Sequence, residues 1–186
     1  MRRNIARVMA GGRPVTWLGA NFWSRTGGPL MWRHYDPAVI AQELGVLKDH
    51  GLTMTRSFFY WPDFMPGPHE VDEKMTARFA DFLDRHAEQG MTTIPTFIVG
   101  HMSGQNWDPA WRRGRDLYAD VWMVGRQAWF AREMVKRYKD HPAVAGAPGH
   151  GVARLAEGVP HRGAGRRLRR TRRDRPQVPR RTGPVA

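Results

Sequence analysis

Residues 51–60 read Gly51-Leu52-Thr53-Met54-Thr55-Arg56-Ser57-Phe58-Phe59-Tyr60. The β-branched and aromatic residues from Leu52 to Tyr60 suit a strand, and Pro62, Pro66, Gly67 and Pro68 mark a loop behind it. Upstream, Asp36 is a helix N-cap with Pro37 at the first helical position. Val39, Ile40, Leu44 and Leu47 follow at helical spacing, and Gly51 can end that helix in the left-handed conformation. Downstream, Asp72 caps a second helix whose Met75, Phe79, Phe82, Leu83 and His86 line one face until Gly90. A strand flanked by amphipathic helices is the repeating unit of a parallel sheet.

The same unit recurs on both sides. Val15 to Trp23 is a β-rich run closed by Gly27-Gly28-Pro29, and Met91 to Val99 reads as a third strand. Pro95 within that strand cannot donate a ladder hydrogen bond and points to an edge or a strand start. A loop from Gly100 to Arg115 leads to a long helix from about Asp116 to Lys139. Leu117, Val121, Val124, Ala128, Ala131, Val135 and Tyr138 are its expected inward positions. Ala143 to Gly146 begins a fourth strand. The fold class is therefore α/β with about three and a half βα units and right-handed crossovers. Periodicity alone allows an open doubly wound sheet or part of a (β/α)8 barrel.

Charge divides the chain sharply. The 186 residues carry a formal charge of +13, yet residues 147–186 hold 11 Arg and only 2 acids, net +9, leaving net +4 on the first 146. All 8 Trp, 8 Phe and 4 Tyr precede residue 147, so only that part can build a core. Residues 1–13 read as an N-terminal arm, 14–146 as one α/β domain, and 147–186 as an Arg/Gly/Pro-rich disordered tail with too little apolar surface to offset chain entropy. No apolar run is long enough to span a membrane. The run after Arg2, Arg3 and Arg7 is broken by Gly11, Gly12 and Arg13, so no secretory leader is expected and the cytoplasm is the default compartment. The absence of cysteine excludes a disulfide scaffold and thiolate metal sites. No histidine pair has metal-ligand spacing, and no metal or cofactor is expected.

In parallel α/β architectures chemistry gathers at the carboxyl edge of the sheet. That edge holds Asn21, Phe22 and Trp23, then Arg56 to Asp63, then His101 to Asp108 with Asn106 and Trp107. No G-x-G-x-x-G or Walker lysine follows the first strand, which excludes the common phosphate-binding loops. An aromatic rim with a few directional polar groups suits a sugar, whose CH faces stack on indoles while its hydroxyls need partners.

These residues resemble glycoside hydrolase family 5, the cellulase and mannanase-like (β/α)8 enzymes of clan A. The resemblance rests on Gly19-Ala20-Asn21-Phe22-Trp23, on the Arg56 strand with Trp61 in the loop after it, and on Val99-Gly100-His101-Met102-Ser103-Gly104. Tyr138-Lys139-Asp140-His141-Pro142-Ala143-Val144-Ala145-Gly146 extends it into a fourth strand, so that it covers about residues 14–146. It implies a partial TIM barrel, a β-linked oligo- or polysaccharide as partner, and retaining hydrolysis by two glutamates about 5 to 5.5 Å apart. It also implies that Arg56 orients the nucleophile carboxylate, that His101 hydrogen-bonds in the cleft, and that Trp23, Trp61 and Trp107 are sugar platforms, with Asn106 beside them.

The chain departs from the family where the acid/base glutamate should follow the fourth strand. It reads Gly146-Ala147-Pro148-Gly149-His150-Gly151, and neither catalytic glutamate has a counterpart. No catalytic residue is assigned, and the chain is expected to be an inactive fragment of a carbohydrate-metabolism hydrolase. A closed barrel takes about 250 residues, so exposed edge strands and aggregation are expected as well. Residues 147–186 draw 27 of 40 positions from Arg, Gly, Pro and Ala, whose codons are rich in G and C, and a frameshift near Gly146 is the expected origin. Two alternatives are a non-catalytic carbohydrate-binding α/β module and an Arg-rich arm that binds nucleic-acid phosphates; no specific nucleic acid is expected. Asp63, Glu70 and Asp108 have only loop position to suggest acid/base work, and Trp122 and Trp129 read as helix packing residues.

Overall fold

The computed structural model describes residues 9–10, 13–14, 18–99, 101–102 and 104–145. The tail, the N-terminal arm apart from three residues, Val15 to Trp17 of the first expected strand and Gly146 of the fourth lie outside the described residues. In chain order the elements begin with a small antiparallel ribbon of β1 (Met9–Ala10) and β2 (Arg13–Pro14), followed by β3 (Gly19–Phe22), α1 (Pro37–Asp49) and β4 (Met54–Phe58). Then come α2 (Trp61–Phe64), α3 (Glu73–Glu88), β5 (Thr92–Thr96), the hairpin β6 (His101–Met102) with β7 (Gln105–Asn106), and α4 (Val121–Tyr138). Among the described residues no helix is long and apolar enough to cross a membrane.

β3, β4 and β5 form one parallel sheet in that order, with Asn21 opposite Arg56 and Arg56 opposite Ile94. Close approach of β3 to β4 needs a glycine at its start, because a Cβ at Gly19 would lie 2.6 Å from the Met54 carbonyl oxygen. The fourth strand begins where expected: Thr93 N–H donates to the Ala143 carbonyl at 2.7 Å, and Ala145 N–H donates back to Thr93 at 2.8 Å. Thr93 therefore points its peptide groups to the fourth strand, whereas Thr92 donates to Thr53 on the β4 side. Pro95 shares the parity of Thr93. Its missing N–H falls on the fourth-strand side, and the β4 ladder loses nothing.

The helices cap as the sequence indicates. Asp36 accepts from Ala38 and Val39 N–H, and Asp72 from Met75 N–H at 2.8 Å. Gly51 and Gly90 end the turns after α1 and α3 at φ 79° and 65°, a region costly to residues bearing a Cβ. Between sheet and helices sits an aromatic core of Trp32, Phe59, Phe64, Phe79 and Phe82, all fully buried. Trp32 Nε1 donates to the Phe58 carbonyl at 2.8 Å, which satisfies the one polar atom of its ring.

Two expectations are corrected. The last long helix starts at Val121, not near Asp116, because Asp116 closes its own turn by accepting from Tyr118 and Ala119 N–H, and Asp120 is the true N-cap. Its inward residues are Met123, Phe130 and Met134. Val121, Val124 and Ala128, expected inside, are exposed.

Candidate functional site

Along β4 the side chains alternate between two environments. Thr55 and Ser57 face the helices, where Thr55 Oγ1 lies 2.8 Å from both His86 Nε2 and Thr93 Oγ1, and Thr93 Oγ1 lies 3.1 Å from Ser57 Oγ. His86 Nδ1 donates to the Phe82 carbonyl at 2.8 Å, which leaves Nε2 to accept the Thr55 hydroxyl hydrogen. Burial pushes the His86 imidazole down to about 4, with the ring of His141 adding to the effect. This layer is closed and fully bonded, so it holds α3 to the sheet and binds nothing from outside.

The opposite face carries Asn21, Arg56 and Phe58, and it runs up to Trp23 and Tyr60. Arg56 is exposed, with Nε donating to Thr96 Oγ1 at 3.0 Å and the guanidinium 4.7 Å from the Phe58 ring centroid. Trp23 is partly buried and stacks on Phe58 at 4.9 Å, with the edge of Trp107 5.6 Å away. Tyr60 lies 5.3 Å from Trp107. Val99 and Met102 complete a second, smaller apolar cluster at this edge, separate from the main core. Across the β6–β7 hairpin, His101 Nδ1 lies 2.9 Å from Asn106 Oδ1, and both residues are exposed. With the amide oxygen turned to the ring, Nδ1 carries the hydrogen and Nε2 is free to accept a hydroxyl.

The sheet edge thus gathers five of the six expected residues: Trp23, Arg56, His101, Asn106 and Trp107. Trp61 is not among them. It opens α2 with its side chain fully buried, Nε1 donating to the Met65 sulfur at 3.2 Å and the Trp111 ring edge-on at 5.7 Å, so it offers no face to a sugar. Trp107 is at the edge but nearly all its surface is covered by its neighbours, which makes it the floor under Trp23 and Tyr60 and not an open platform. Phe58 and Tyr60 lie within the stretch Arg56 to Asp63 that the sequence places at the edge, but the sequence reading does not single them out. Period-two alternation from Arg56 would have selected both.

The loop acids are engaged elsewhere. Asp63 holds Arg33 through two 2.8 Å hydrogen bonds, and that guanidinium lies 5.0 Å from the Tyr60 ring centroid. Asp108 pairs with Arg112 at 2.6 Å, and Glu70 is exposed. Beside the edge, a groove of about 390 Å³ runs between β3 and α1, lined by Asn21, Trp23, Arg25, Glu43 and Val46 among others. In it Glu43 accepts the Arg25 backbone N–H at 2.9 Å through Oε1, while its buried Oε2 has no partner among the described residues.

No family model matches the chain, and no curated protein matches it. Solved structures do. The GH5_18 protein of Streptomyces cattleya, solved with GlcNAc, superposes with a TM-score of 0.66 at 25% identity over 68% of this chain and 31% of its own. The exo-beta-1,4-mannosidase of Opitutaceae bacterium strain TAV5 superposes with a TM-score of 0.66 at 33% identity over 71% of this chain and 24% of its own. A GH5_18 protein of Bifidobacterium longum gives 0.64 at 19% identity over 69% and 32%. The chain spans between 24% and 32% of the length of these proteins. Its fold is that of a glycoside hydrolase of the family 5 type, present among the described residues as parallel βα units without a closed barrel.

Proposed function

We propose that the chain is a saccharide-binding part of a family 5 glycoside hydrolase barrel, held by residues 14–146 and without turnover of its own. The observation that carries this reading is the aromatic cluster of Trp23, Phe58, Tyr60 and Trp107 at the carboxyl edge of β3 and β4, on the same face as Arg56, with the paired His101 and Asn106 on the hairpin that follows β5. The partner is a β-linked oligosaccharide containing mannose or N-acetylglucosamine. Similar proteins support that class: besides the mannosidase, a variant of the Streptomyces cattleya protein was solved with Manb1-4GlcNAc.

Each residue has a chemical task. Arg56 donates to a ring or hydroxyl oxygen, His101 Nε2 accepts a hydroxyl hydrogen, and the Asn106 amide both donates and accepts. Trp23 presents its free indole surface to the apolar face of a pyranose, backed by Phe58. Hydrolysis needs two carboxyl groups at the scissile bond. Asp63 and Asp108, the acids nearest this rim in sequence, are committed to Arg33 and Arg112. Titrating the purified chain with Manβ1-4GlcNAc, against Arg56→Ala and His101→Ala variants, tests the site. Binding to the parent chain and loss in both variants supports it; equal binding in all three contradicts it.

A further inference from the structure

Arg33 and Asp63 stand 30 residues apart, on the loops that follow β3 and β4, and they join those loops by a two-bond fork. Arg33 Nε and Nη2 each donate to a separate Asp63 carboxylate oxygen at 2.8 Å. The Asp63 side chain is 11% exposed and that of Arg33 45%. A pair this open on one side adds little to stability. What the fork does supply is a fixed plane for the guanidinium, because two parallel hydrogen bonds define an orientation where a single contact would not.

The turn that carries Arg33 is itself anchored. Trp32 Nε1 donates to the Phe58 carbonyl at the end of β4, and Arg78 of α3 donates through Nη1 to the carbonyls of Trp32 and Arg33. Asp63 is anchored too, since it lies in α2 and its N–H donates to the Tyr60 carbonyl at 3.0 Å. The oriented guanidinium lies 5.0 Å from the Tyr60 ring centroid, within the range of a cation–π contact. Trp107 meets the same ring at 5.3 Å with its plane tilted by 59°. A cation from one loop and an indole from another thus hold a single phenol at the aromatic edge. Tyr60 is half-buried, and its hydroxyl makes no hydrogen bond among the described residues. Nor is that hydroxyl one of the buried polar atoms left without a partner, so it meets solvent.

We propose that Tyr60 is a saccharide contact whose hydroxyl hydrogen-bonds a sugar hydroxyl, and that Arg33 and Asp63 are the positioning pair that aims it. The role rests on the saccharide reading of this edge and adds to it a polar group from the loop after β4, where the hairpin after β5 supplies His101 and Asn106. A phenol both donates and accepts, as a sugar hydroxyl does, so the two match in either direction. Asp63 then serves the site without touching the ligand: it fixes Arg33, and Arg33 fixes the ring.

A double-mutant cycle tests this, read by calorimetric titration with Manβ1-4GlcNAc and with the urea midpoint of every variant recorded. Tyr60→Phe should weaken binding about three- to tenfold, the worth of one neutral hydrogen bond. Arg33→Lys keeps the charge but cannot hold both carboxylate oxygens, and Asp63→Asn removes the ionic partner; each should weaken binding by about the same factor. Because Arg33 acts through the Tyr60 hydroxyl, Arg33→Lys combined with Tyr60→Phe should bind like Tyr60→Phe alone, within about twofold. Additive losses in the combined variant overturn the proposal, since a clamp that merely steadies the loops would cost the same with or without that hydroxyl. Parent-like binding by Tyr60→Phe, or by both Arg33→Lys and Asp63→Asn, also overturns it. If Arg33→Lys fails to fold, Asp63→Asn takes its place in the cycle. Parent-like binding by Tyr60→Phe beside loss in Arg56→Ala sinks this role and leaves the saccharide reading standing, whereas no binding by the parent chain overturns both.

Discussion

At the scale of single residues, parity on β4 decides which side chain lies on the face of the proposed site and which one packs against the helices. Arg56, Phe58 and Tyr60 fall on the open face, while Ser57, Phe59 and Trp61 fall toward the helices. The sequence quoted first contained this answer, but the run of aromatics at 58–61 hid it: large apolar side chains on both faces erase the period-two signal. Trp61→Ala should therefore cost about 3 to 5 kcal/mol of stability, as expected for a buried Trp, measured by urea unfolding. Arg56→Ala should leave the unfolding midpoint unchanged and weaken saccharide binding by about tenfold, the worth of a charged hydrogen bond. The buried His86 makes a different prediction. Its folded value near 4 lies below the ordinary 6.5, so the unfolded chain binds more protons between those pH values. Its contribution is fully present above about pH 6.5 and is lost as pH falls through about 4, up to about 3 kcal/mol. His86→Gln should flatten that part of the pH–stability profile in urea titrations, and an unchanged profile would exclude His86 as its source.

At the scale of elements, the sequence was most legible where a cap and a single apolar stripe agree. α1 and α3 have an Asp N-cap, one buried face and a glycine in the turn behind them, and all three signals point to the same bounds. Asp72→Ala should cost about 1 kcal/mol, readable as a lowered urea midpoint with unchanged far-ultraviolet ellipticity at pH 7. α4 misled because two of its faces are apolar. The stripe of Val and Ala has good helical spacing, but Met123, Phe130 and Met134 bury more area and take the core. The small residues are left on the flank that a further helix would cover. Asp116 added to the misreading, since its side chain closes a turn that resembles a helix cap one turn too early.

For the whole molecule, alternation of strands and helices was enough to establish a parallel α/β sheet, because each βα unit is a local pattern. Closure is not local. Nothing in the periodicity of 133 residues, 14–146, distinguishes an open sheet from part of a ring, whereas the superposition on family 5 hydrolases is consistent with part of a ring. The site follows the same division. The strand residues Trp23 and Arg56 fall where their parity on β3 and β4 puts them, whereas the pairing of His101 with Asn106 depends on a hairpin whose two short strands carry almost no sequence signal. On the proposed function, the described residues hold the half of a sugar cleft that binds, without the carboxylates that would cut. Titration calorimetry of the chain with Manβ1-4GlcNAc, followed by chromatography of the same sample after prolonged incubation, tests this directly. Saturable binding with the disaccharide recovered intact is the predicted result; release of mannose, or no heat of binding at millimolar ligand, contradicts it.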